Sequence, residues 1–158
     1  MAPGEEGEIV ARGPKQFLGY QDRAADVDAF VQATLFRTGD LGRFDADGYL
    51  VVTDRVKDII IRGGENISAR EVEEVLSRHP ALAEVAICAA PDELWGEAVC
   101  AVVVPREGAP APTVQELQEV ASSAGLAAHK VPTKVVVTGA LPRTAAGKVR
   151  KRDLRSLF

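Results

Sequence analysis

Two apolar runs near the middle of the chain constrain its fold most. Val85-Ala86-Ile87-Cys88-Ala89-Ala90 and Val99-Cys100-Ala101-Val102-Val103-Val104 carry no charge, are bounded by polar residues and are short. Runs of this length and composition read as central strands, here Val85 to Ala89 and Ala98 to Val104, separated by Pro91-Asp92-Glu93-Leu94-Trp95-Gly96. Cys88 and Cys100 read within them as small buried hydrophobes. With 158 residues, 46% of them apolar, the chain is long enough to close a core around such strands as one compact domain with some extra structure.

The surroundings of the two runs alternate between strand and helix signals. Val56 and Ile59-Ile60-Ile61 predict a strand that ends at Gly63-Gly64. Ser68-Ala69-Arg70-Glu71 has the form of a capping box, in which Ser68 bonds a free helix amide and Glu71 reaches back to the cap. Val72, Val75 and Leu76 follow at one-face spacing, and the helix should stop before Pro80. Thr113-Val114-Gln115-Glu116 is a second such box, followed by Val114, Leu117, Val120 and Ala121 on one face, with Gly125 as the stop. Val135 to Val137 give another strand and Arg150 to Leu157 a short final helix. The order predicts an α+β domain over residues 55–158, with helices on a small, mostly antiparallel sheet.

Residues 1–54 differ in character. Glu8 to Arg12 reads as a strand before Gly13-Pro14, Thr38-Gly39-Asp40 reads as a turn, and Leu41 to Phe44 and Tyr49 to Thr53 flank the hairpin turn Asp45-Ala46-Asp47-Gly48. So few strands make no closed core, so this β-rich piece is expected to be the terminal segment of a larger domain.

Charge and special residues exclude several function classes. The net charge of −4 and pI near 5.3 give no reason to expect nucleic acid or a membrane as partner. The balance is uneven, because Arg143, Lys148, Arg150, Lys151, Arg152 and Arg155 face the single acid Asp153, which makes a local anion site near the C-terminus plausible. His79 and His129 with two separated cysteines give no metal-ligand spacing, so no metal site is expected. The start, Met-Ala-Pro-Gly-Glu-Glu-Gly-Glu, has neither an apolar signal core nor a basic leader, and a reducing cytoplasm is the expected location.

Four clusters hold more chemistry than a scaffold needs, and each has a bland reading beside a functional one. Asp40 in Arg37-Thr38-Gly39-Asp40 is either a turn former or a carboxylate suited to a ribose diol. Asp54-Arg55-Val56-Lys57-Asp58, at the change in composition, is either a solvated charge run or a hinge. Arg62-Gly63-Gly64-Glu65-Asn66 is a tight turn, and also a place where a thin ligand can approach the backbone. In Leu141-Pro142-Arg143-Thr144-Ala145-Ala146-Gly147-Lys148, a stiff entry and a small tip carry Lys148, which is either a solubility residue or an ammonium delivered into an anionic pocket of another domain. Val149 occupies the Ser/Thr position of a phosphate-binding P-loop and no Gly lies five residues before Gly147, so this is not that motif.

In this order the clusters resemble the adenylate-forming superfamily of acyl-CoA synthetases, aryl-CoA ligases, luciferases and peptide-synthetase adenylation domains. The resemblance runs from Gly7 to Phe158, through Thr38-Gly39-Asp40, Asp47-Gly48-Tyr49, Asp54-Arg55, Gly63-Gly64-Glu65-Asn66-Ile67, Glu71-Val72-Glu73, Pro91-Asp92 and Leu141-Pro142-Arg143-Thr144 with Gly147-Lys148. It implies that residues 55–158 are a mobile C-terminal lid domain and that residues 1–54 end the large ATP-binding domain. It further implies that Asp40 and Arg55 bind the ribose, that Lys57 is the hinge, and that Lys148 is the adenylation lysine. Gly63 and Gly64, with Trp95 and Lys130 as weaker candidates, would line the coenzyme A pantetheine tunnel. Trp95 also has core packing as its plain reading.

The implied reaction uses ATP, Mg2+, coenzyme A and a carboxylic acid, with Mg2+ and most ATP contacts coming from the large domain. Gly-Gly-Glu-Asn-Ile and Trp95-Gly96 look closer to acyl- or aryl-CoA ligases, with fatty acid metabolism as a setting, than to adenylation domains. A carrier-protein acceptor and a non-catalytic binding module stay open beside that reading. The family's Ser/Thr/Gly-rich phosphate loop and acyl pocket have no counterpart in these 158 residues, so the chain alone is expected not to adenylate carboxylates.

Overall fold

The computed structural model describes residues 4–32 and 34–158. Met1-Ala2-Pro3, the opening of the stretch read above for a leader, and Ala33 lie outside the described residues. The chain divides into two compact units, Met1–Lys57 and Asp58–Phe158.

The first unit holds β1 (Gly7–Ala11), α1 (Asp26–Ala29), β2 (Phe30–Val31), β3 (Leu35–Phe44) and β4 (Leu50–Arg55). β3 is the spine of a four-stranded sheet and is antiparallel to β1, β2 and β4. The β3–β4 hairpin forms at the predicted turn, where Asp45 Oδ1 accepts the amides of Asp47 and Tyr49 and Gly48 takes a φ of +82°. Phe17, Phe30 and Phe36 meet edge-on or tilted, with centroids 5.0 to 5.8 Å apart.

One expectation is corrected here. Thr38-Gly39-Asp40 is not a turn between elements but lies inside β3. Opposite it the β1 register slips, with Glu8 facing Leu41 and Val10 already facing Arg37. The extra residues bulge out at Gly39, whose φ of +74° a side-chain-bearing residue would resist. The Thr38 hydroxyl closes the bulge by donating to Ile9 O and accepting from Asp40 N.

The second unit is the α+β domain that the strand and helix order predicted. β5 (Ile59–Arg62), β6 (Glu65–Ser68), α2 (Ala69–Leu76), β7 (Leu82–Asp92), β8 (Gly96–Pro105), α3 (Val114–Ser123), β9 (Lys134–Val137) and α4 (Lys151–Leu154) follow in order. The sheet runs β6-β5-β8-β7, antiparallel throughout, with β9 alongside β8 as its parallel member. The two apolar runs are β7 and β8, paired from Leu82↔Pro105 to Asp92↔Gly96.

Both faces of this hairpin are covered, which is why it carries no alternation of polar and apolar residues. Ile87, Ala89, Val99, Ala101 and Val103 pack under Val72, Leu76, Leu117 and Ala121 of the two longer helices. Ala86, Cys88, Ala90, Cys100 and Val102 pack against Leu141 and Leu154. Cys88 and Cys100 face each other in register, both reduced and buried. The hydrogen bond they share, with burial behind it, pushes the Cys88 thiol far up, so it stays protonated.

Candidate functional site

Asp40 and Arg55, fifteen residues apart in sequence, are register partners across β3 and β4. The bulge at Gly39 presents the Asp40 carboxylate, and Arg55 Nε donates to its Oδ1 at 3.1 Å. Their side chains are 39% and 65% exposed. A pair so open to water adds little stability and is free to exchange its contact for a ligand's. Arg55 and Lys57 line a groove of about 540 Å3 with Thr38, Gly39 and Tyr20. Lys57 is exposed in a 3-10 turn, Val56–Asp58, at the last position of the first unit.

Gly63 and Gly64 form the tight β5–β6 turn, with φ of +58° and +90°. The Gly63 amide donates to Trp95 O at 2.9 Å, and the indole lies so close that a Cβ on Gly63 would sit 2.7 Å from its Cε3. Trp95 is therefore not a core residue, which its plain reading allowed: it is 48% exposed and stacked on a glycine turn. Two neighbours hold it. Asp92 Oδ1 accepts the Leu94 and Trp95 amides, and those backbone bonds hold the Asp92 carboxyl below the usual aspartate range. The Arg62 guanidinium lies 5.8 Å from the indole centroid and donates to His129 O.

Lys130, next to that carbonyl, donates to both carboxylate oxygens of Glu71 at 2.8 and 2.6 Å. Glu71 thus does not reach back to its helix cap as the capping-box spacing predicts; a charged partner outcompetes a neutral amide for it. The Lys130 ammonium is committed inside the domain, whereas Trp95 and the glycine turn face outward.

Lys148 stands on a closed hairpin. Thr144 N donates to Lys148 O at 2.8 Å, Gly147 N to Thr144 O at 2.9 Å and Lys148 N to the Thr144 hydroxyl at 3.2 Å. Arg143 and Val149 bridge its base, and Leu141 and Val149 seat it on the apolar cluster below β7 and β8. Residues 143–148 are all exposed. Among the described residues none binds the Lys148 ammonium. The other bases of this stretch are mostly engaged: Arg143 with Glu84, Arg150 and Arg152 with Asp153, and Lys151 with Glu73. Of the basic run, Lys148 and Arg155 are the two with no ion-pair partner among the described residues.

The structure brings Asp40 and Arg55 together as an ion pair and places Gly63-Gly64 in a turn and Lys148 on an exposed loop, all residues that the sequence singles out. Arg62 and Asp92 stand there within named motifs but with no role of their own, and Glu84, which meets Arg143 from 59 positions away, is not singled out at all. Adjacency to Gly63 and the Asp-x-x-Trp spacing were usable signals for the first two; Glu84 left none.

The α+β fold of the second unit, a mostly antiparallel sheet flanked by a few helices, defines a class, the C-terminal portion of adenylate-forming ligases. The structure of ATP-bound MatB from Rhodopseudomonas palustris superposes with a TM-score of 0.89 at 35% identity, over 99% of this chain and 31% of that one. Residues 71–148 match the AMP-binding enzyme C-terminal domain, and the chain belongs to that family. The indoleacetate–CoA ligase of Aromatoleum aromaticum is 46% identical over 99% of this chain and 30% of its own length. The salicyl-AMP ligase / salicyl-S-ArCP synthetase of Mycobacterium tuberculosis is 45% identical over 98% and 27%. The chain thus spans less than a third of the length of these relatives.

Proposed function

We propose that the chain is the C-terminal part of an ATP-dependent acid–CoA ligase, and that Lys148 is its adenylation lysine. The observation that carries this reading is the loop itself: a rigid, outward hairpin holding one ammonium that no described residue binds. In the first half-reaction a carboxylate oxygen of the acid attacks the α-phosphorus of ATP and the bond to pyrophosphate breaks. Lys148 stabilises the negative charge gathered on carboxylate and phosphate as that bond exchanges. Asp40 and Arg55 hold the ribose hydroxyls. In the second, the thiolate sulfur of coenzyme A attacks the acyl carbon and the carbon–oxygen bond to AMP breaks, with Gly63, Gly64 and Trp95 along the pantetheine path and Lys130 steadying that region through Glu71. Lys57 absorbs the backbone rotation between the two steps.

Residues 1–54 are, in this proposal, the last strands of the large domain and 55–158 the lid. Among the described residues no group of three His, Cys, Asp or Glu side chains is placed to hold a metal. In this reading Mg2+ travels with the triphosphate and is held by residues of the large domain. A cytoplasmic location belongs to the same reading and suits two free buried thiols. The name of the salicyl relative raises a carrier-protein thiol as the competing acceptor.

The test is Lys148→Ala in the full-length enzyme, with the two half-reactions assayed apart. Adenylation, read as acid-dependent pyrophosphate exchange, should fall by at least 100-fold while thioester formation from supplied acyl-adenylate stays within about threefold. Equal loss in both would remove the assignment. Free coenzyme A and a carrier protein offered together in the second assay decide the acceptor.

A further inference from the structure

The bonds within the Lys148 loop close it on itself but do not orient it against the domain. Leu141 and Val149 seat its base in an apolar cluster, a contact without direction. Direction comes from Arg143. Its Nη1 donates to the Gly147 carbonyl at 2.6 Å, and its Nη2 to the Glu84 carboxylate, which projects from β7 where Glu84 pairs with Val104. One planar guanidinium thus ties the peptide just before Lys148 to a strand of the central hairpin.

The exposure of this pair separates geometry from stability. The Arg143 and Glu84 side chains are 44% and 37% exposed, and ion pairs in that setting contribute little to folding. The domain keeps its core without them, because neither belongs to the buried clusters. What they set is where Lys148 points: the Gly147–Lys148 peptide cannot turn without breaking the fork. We propose that Arg143, held by Glu84, is a positioning residue for the adenylation step, acting through Lys148 without touching the substrates. The proposal rests on the reading of Lys148 as the adenylation lysine. The planar fork of a guanidinium fixes the angle between the carbonyl and carboxylate bonds, whereas a lysine ammonium can donate to two acceptors but holds them at no fixed angle. Misplacing a reacting group by about 1 Å costs on the order of 100-fold in rate, so loss of the fork should be visible while folding is untouched.

The experiment uses Glu84→Gln, Arg143→Lys and Lys148→Ala in the full-length enzyme, with each of the first two also combined with the third. Glu84→Gln and Arg143→Lys should each lower kcat for adenylation by about 10- to 100-fold, leave KM for ATP within about twofold and leave thioester formation from acyl-adenylate unchanged. In the Lys148→Ala background neither should lower the residual adenylation rate further, because a positioning residue has nothing left to position. Glu84→Asp, which keeps the charge, should recover part of the loss. Adenylation within twofold of wild type for both single variants, or an equal fall in the Lys148→Ala background, overturns the proposal while the role of Lys148 stands. Full adenylation activity in Lys148→Ala removes the role of Lys148 instead, and this proposal with it.

Discussion

At the residue scale, the two turn glycines are not equivalent. Both take a positive φ, which costs a residue with a side chain roughly 1–2 kcal/mol. A Cβ on Gly64 would meet nothing within 4 Å, whereas one on Gly63 would press into the six-membered ring of Trp95. Gly63→Ala and Gly64→Ala should therefore lose stability by a similar amount, about 1–2 kcal/mol, read as a drop in the urea midpoint of this chain. They should differ in Trp95, the sole tryptophan of the 158 residues. Its emission should shift in Gly63→Ala, as the ring is pushed off the turn and from under Arg62, and stay as in the parent chain in Gly64→Ala. Matching spectra for the two variants would mean that the indole does not depend on the bare backbone beneath it.

At the scale of elements, the helix starts were legible because their determinants are local. Thr113 and Glu116 form the reciprocal box their spacing predicts, with the Thr113 amide and hydroxyl both donating to Glu116 Oε2 and the Glu116 amide donating back to the hydroxyl. Ser68 caps α2 as predicted, yet its box is half made, since Lys130 from 59 positions away takes Glu71. The same division explains the site. The exposed loop under Lys148 was legible from its stiff entry and small tip; its contact with Glu84 was not, because only the folded sheet brings Glu84 to Arg143. The bulge at Gly39 was hidden likewise, because a turn and a bulge both use Gly at positive φ and only the partner strand tells them apart.

The intact box makes a pH-dependent contribution. Those two bonds, the backbone one first, hold the Glu116 carboxyl below its ordinary 4.5. A carboxyl whose pKa is depressed on folding stabilises the fold fully above the unfolded value, and the contribution fades as pH falls through the folded one. Wild type should accordingly be more stable than Glu116→Gln above pH 4.5, with the gap in unfolding midpoint narrowing as pH falls below it. A gap that is constant with pH would show that the box acts through hydrogen-bond geometry alone and not through the charge.

At the scale of the whole molecule, the burial is lopsided. Every residue of the two apolar clusters, from Ile60 to Leu154, lies in the second unit. Among the described residues of the first unit, only Gly42 and Asp54 are buried, while Leu50, Val51 and Val52 are 40–48% exposed along β4. A part proposed to turn as one body between two half-reactions must hold its own core, and Asp58–Phe158 has one with both sheet faces covered. Three strands around one spine, with many of their apolar side chains half-buried or exposed, leave the first unit too little burial to offset its ordering entropy. A fragment of residues 58–158 should therefore unfold in a single cooperative urea transition, with a slope of about 1–2 kcal/mol/M and dispersed amide resonances beforehand. A fragment of residues 1–57 should show no transition. If 58–158 melted gradually, the lid would depend on residues before Asp58 for its fold, and a rotation about Lys57 that leaves its core intact would lose its physical basis.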